Sequence, residues 1–163
     1  MERTRFVTQT ALLFAIVLLV QALGLPQIVT GPLVNACLLL ATIFGGVASG
    51  VIIGCFTPWV ALLRGILPSP LGPMVPFIMA GNGVLVVLFW LLTRRGTFSF
   101  KVAGIVLGAL AKYLLLSSAV SFVVSVAPGI ARAMQLPQLF TALLGGALAL
   151  IVEQAVRRAF KKQ

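Results

Sequence analysis

The chain has 163 residues, 61% hydrophobic and 9% charged, with a mean hydropathy of +1.18 and a formal net charge of +10. That balance excludes an ordinary water-soluble domain; at about 20 apolar residues per crossing, the length admits about six or seven helical spans and almost nothing outside the bilayer. With no His, two acidic residues (Glu2 and Glu153) and two Cys, the parts for metal, hydrolytic or redox chemistry are missing and no enzyme is expected. The twelve Lys and Arg form neither a helical stripe nor the aromatic-interleaved pattern that would mark a nucleic-acid partner.

The first predicted span covers residues 7–23, after Arg3 and Arg5. A basic start, an apolar stretch and Val20-Gln21-Ala22 together mimic a secretory signal with its cleavage site, but the apolar run is long for one and the span is expected to be retained. Ala11 and Ala15 form a small-xxx-small pair, suited either to internal packing or to docking another membrane subunit. Leu25-Pro26-Gln27-Ile28-Val29-Thr30 leads into a second span, 32–44, that is short for a full crossing, and Gly45-Gly46 permits only a tight turn before the third, 46–63. On the third span Gly46, Gly50 and Gly54 recur every four residues and Pro58 continues the stripe. Such gaps let a neighbouring helix approach closely, and packing within the bundle is the expected use. Cys37 and Cys55 lie in apolar runs and are assigned to packing.

Residues 64–76 contain four prolines, which predicts a stiff, nonhelical cap, either roofing an outward-facing pocket or simply connecting spans. The fourth span, 76–92, carries Asn82. The fifth, 102–126, carries Lys112 about eleven positions in, roughly 16 Å along a helix and near the bilayer midplane. An ionisable group there costs at least about 2.5 kcal/mol on insertion scales, so it is expected to face the bundle interior and to have a partner. Neither carboxylate is well placed: Glu2 is on the N-terminal tail, and Glu153 lies near the inner end of the sixth span, 139–156, with Arg157 as its i+4 partner. Three fates stay open for Lys112: it is neutral, it is solvated by carbonyls, hydroxyls and water, or it awaits a negatively charged ligand. Gly104, Gly108 and Lys112 share one helical stripe, and Tyr113, Ser117, Ser121 and Ser125 form the adjacent one, which predicts a polar face running outward from Lys112. Leu136-Pro137-Gln138-Leu139-Phe140-Thr141, at the start of the sixth span, echoes the 25–30 segment.

Asn35, Thr57, Asn82 and Thr141 fall at similar depth in the outer halves of their spans, with Arg64 at the outer rim. Taken singly, each has a ready fate in an interhelical hydrogen bond. Taken with Lys112, Tyr113 and Ser117, they predict one pocket in which amides and hydroxyls orient a small molecule and Lys112 attracts its negative group. Six spans place nine basic residues on one side (Arg3, Arg5, Arg94, Arg95, Lys101, Arg157, Arg158, Lys161 and Lys162), leaving Arg64 and Arg132 on the other. The positive-inside rule then puts both termini in the cytoplasm, and five spans would split these clusters. The predicted fold is an all-α integral membrane protein, a single domain of six transmembrane helices over residues 1–163.

Three stretches, TGPLVNACLLLATIFGG (30–46), GVIIGCFTPWVALLRGILP (50–68) and LGPMVPFIMAGN (71–82), resemble the substrate-binding S components of energy-coupling factor (ECF) transporters, the vitamin and micronutrient importers of prokaryotes. The span count, the basic ends and the Ala-xxx-Ala pair are similar too. The resemblance implies an S-component-like bundle in a prokaryotic cell membrane that captures a small molecule from outside. It implies docking through Ala11 and Ala15 on a T component carrying two ATPase subunits, gating by the connections at 25–30 and 64–76, and tilting of the binder to release its cargo. No cofactor is expected in this chain, which lacks a Walker motif, so ATP would be used by the partner subunits only. Lys112 and Arg64 favour a carboxylate or phosphate over a cation such as thiamin, and the absence of His argues against a nickel or cobalt binder. Riboflavin, pantothenate, nicotinate and folate stay open. A noncatalytic membrane scaffold and a self-sufficient channel or facilitator are the competing readings.

Overall fold

In the computed structural model, which describes residues 2–161, the chain folds into α1 (Glu2–Ala22), α2 (Gln27–Gly45), α3 (Val47–Leu63), α4 (Val75–Thr93), α5 (Phe98–Phe122), a five-residue α6 (Pro128–Arg132) and α7 (Leu136–Phe160). A 3₁₀ helix, Ser69–Met74, precedes α4, and the described residues include no strand. Lys162, expected on the basic side, lies outside the described residues. The all-α membrane fold is as predicted. Among the described residues five helices are long and apolar enough to cross a membrane, and the sixth long one, α3, is apolar but only 17 residues.

The short member of the predicted pair is therefore α3, not the second span. α2 starts at Gln27 and carries Pro32 inside it, in its second turn. There proline forfeits the bond to the carbonyl of Ile28 and sits inside the helix rather than beginning it. Gly46 alone separates α2 from α3, at φ +85°, where a residue with a side chain would be strained. The expected nonhelical cap is corrected as well. Pro68 precedes the 3₁₀ helix in extended geometry, Leu71 N–H donates to the Pro68 carbonyl at 2.8 Å, and Pro76 occupies the start of α4. Proline is tolerated where amides have no helical partner to lose, so a proline-rich stretch can be a succession of helix starts. α5 runs from Phe98 to Phe122, about one turn toward the basic end of its predicted range.

Glycines set the helix spacings. A Cβ at Gly104 or Gly108 on α5 would come within 3.1 and 3.0 Å of the α4 backbone at Phe89 and Leu85. One at Gly50 would collide with Thr42, and one at Gly54 would stand 3.0 Å from the Asn82 Cβ, so the glycine stripe of α3 serves internal packing. α2 and α7 pack in parallel register: Gly31 lies against Thr141, and Gly145 against Asn35 and Pro32. Leu39, Leu85, Phe89, Ile105 and Ala149 form the central core. Leu71, Met74, Leu116, Val120 and Met134 form a second cluster beneath the outer connections. At the basic end, the buried Glu153 carboxylate accepts from Lys101 and, at 2.8 Å, from Arg157. The Arg157 partnership was expected; the Lys101 bridge, which ties α5 to α7, was not.

Candidate functional site

Lys112 follows the Gly104–Gly108 stripe of α5, the face that packs on α4. At its level α4 carries Gly81, and a Cβ there would lie 3.2 Å from Lys112 Cγ, so the glycine makes room for the lysine stem. The ammonium donates to Asn35 Oδ1 on α2 at 2.7 Å and to Asn82 Oδ1 on α4 at 2.8 Å. Backbone carbonyls hold both amides with their oxygens toward it: Asn35 Nδ2 donates to Gly31 O at 3.0 Å and Asn82 Nδ2 to Gly54 O at 2.9 Å. Lys112 is 3% exposed, and two of its three N–H donors are used. Both acceptors are neutral. Glu153, the acid whose side chain is described, is committed to Lys101 and Arg157 near the opposite end of α7, so no carboxylate balances Lys112 among the described residues.

Above this floor opens a cavity of about 390 Å³, to which α1 to α7 all contribute. Leu67, Pro68 and Leu71 from the α3–α4 connection, with Ile130 and Met134 from the α5–α7 connection, form its outer wall. Gln21 on α1 and Thr57 on α3 line it together: Gln21 Nε2 donates to the Thr57 carbonyl at 3.2 Å. Gln21 Oε1 and Thr57 Oγ1 have no partner, although the residues are only 5% and 1% exposed. Both atoms are themselves out of contact with water-sized space, and a buried polar atom left unpaired costs about 1–3 kcal/mol.

Of the residues predicted for the pocket, Asn35, Thr57, Asn82 and Lys112 are brought together in the lining. Arg64, Tyr113, Ser117 and Thr141 are not. Arg64 is exposed at the end of α3. Tyr113 and Ser117 are half-buried on the stripe about 100° around α5 from Lys112, and with α4 and α7 both packed on α5 only a narrow arc reaches the cavity. Thr141 is buried behind Gly31, its hydroxyl donating to the Gln138 carbonyl at 3.1 Å. Gln21, Gln27, Thr30 and Gln138 line the cavity unanticipated. Their signal lay in the repeated Leu-Pro-Gln-x-x-Thr, which puts Gln27 and Gln138 at the first turns of the parallel helices α2 and α7. Gln21, read as part of a cleavage-site mimic, was a lone amide near the end of an apolar span.

A multi-pass helical membrane protein whose outer half holds a cavity with a polar floor has the build of a membrane-embedded binder of small molecules. The family model for the substrate-specific component of ECF transporters matches residues 5–155, and the chain belongs to that family: it is a substrate-specific transporter subunit. No curated protein and no solved structure matches it.

Proposed function

We propose that this subunit captures a small organic anion at the outer face of a prokaryotic cell membrane and delivers it inward with a T component and ATPase subunits, which alone use ATP. The observation that carries the anionic part is the setting of Lys112, a cation buried on two neutral amide oxygens with a third donor free beside the cavity. Ammonium groups are costly at membrane depth, and an anion in the cavity supplies the charge that the protein omits. Asn35 and Asn82 fix the ammonium. Ala11 and Ala15 are exposed on α1, which supports a role for that face in meeting the T component.

Reconstitution tests this reading. Liposomes holding this chain alone are expected to bind the ligand without accumulating it. Adding the T component and ATPases should give ATP-dependent uptake, and Ala11→Trp with Ala15→Trp should abolish uptake with binding intact. Uptake by the chain alone would instead establish the facilitator reading.

A further inference from the structure

The lining of the cavity narrows the ligand class, on the reading that the chain is a binding subunit. Its apolar wall is aliphatic, with Val34, Leu67, Leu71, Ile78, Ile130 and Met134 among the large members. No Phe, Tyr or Trp lines it among the described residues, in a chain with 11 Phe, 2 Trp and 1 Tyr. Phe56 and Trp59, flanking the Thr57–Pro58 wall, and Phe140, following Gln138, sit on the exposed sides of their helices. A flat aromatic ligand gains much of its affinity by stacking on aromatic faces, and this wall offers none.

Charge is equally restrictive. Lys112 is the one charged side chain in the lining among the described residues, Arg64 and Arg132 being exposed outside it. A single ammonium balances a single carboxylate, whereas a phosphate monoester near −2 would keep excess charge in a dry site. A cavity of about 390 Å³ lies within the range of small-molecule sites.

We infer that the ligand is a non-aromatic organic monocarboxylate, its carboxylate on Lys112. The test is ligand-induced thermal stabilisation of the full chain in lipid nanodiscs. Pantothenate and biotin serve as saturated monocarboxylates, nicotinate and riboflavin as aromatic probes, with the methyl ester of each saturated acid and a small-molecule cell extract alongside. At least one saturated acid binds, and its methyl ester binds about tenfold more weakly or worse. Failure of both saturated acids, or an ester that matches its acid, overturns the proposed class. If nicotinate, riboflavin or the extract stabilises the chain where the saturated acids do not, the binding-subunit reading stands while the class falls. If nothing does, including the extract, the binding reading itself falls.

Discussion

A lysine ammonium held by two asparagine oxygens is oriented but not neutralised, and that distinction separates the residues that build the site from those that meet a ligand. Asn82 belongs to the first group, since its oxygen takes a Lys112 proton and its nitrogen pins the Gly54 carbonyl. Asn82→Leu breaks both bonds and is expected to destabilise the chain by about 1–3 kcal/mol, read as a lower Tm. Thr57 is proposed for the second group, since it lines the cavity and its hydroxyl has no partner to lose. Thr57→Val should therefore keep the wild-type Tm or raise it slightly while weakening ligand binding; unchanged binding would remove the hydroxyl from the site. At this scale the sequence was informative wherever depth decided the outcome. Lys112, Asn35, Thr57 and Asn82 are polar groups at one level of the bilayer, and they converge. It was silent on azimuth: Tyr113 neighbours Lys112 in the chain, yet one residue turns the side chain about 100° away.

At the scale of elements, the cavity depends on how closely α2 and α7 approach. A Cβ on Gly145 would stand 2.6 Å from both Asn35 Cβ and the Pro32 carbonyl oxygen, so the two helices must separate to admit it. Because Asn35 carries one of the two acceptors of Lys112, that separation reaches the site. Gly145→Ala is expected to cost about 1–3 kcal/mol of stability and to weaken binding, although Gly145 is not in the cavity lining. Gly83→Ala, on α4 where a Cβ meets nothing, is the control, with a change within about 0.5 kcal/mol and wild-type affinity. The six long helices and the inward use of the glycine stripes were legible from apolar runs and fourfold spacing. Helix starts were less so, because proline reads as punctuation in a sequence and yet is accommodated at 32, 70, 73 and 76 in or beside first turns, where few amide bonds are at stake.

The whole molecule divides its charge by position. Basic residues gather at one end, where the buried Glu153 joins α5 to α7 through Lys101 and Arg157, and the middle of the bundle retains one cation, Lys112, among the described residues. Outward of it lies the cavity, whose aliphatic wall includes residues of the two outer connections. The most direct test of this account is mass spectrometry of the small molecules released from gently purified wild-type and Lys112→Ala protein. The account predicts one anionic compound at near-stoichiometric occupancy from the wild type, and its loss from a variant that still inserts and folds. The same compound at equal occupancy in Lys112→Ala, or a cationic compound in the wild type, would contradict it.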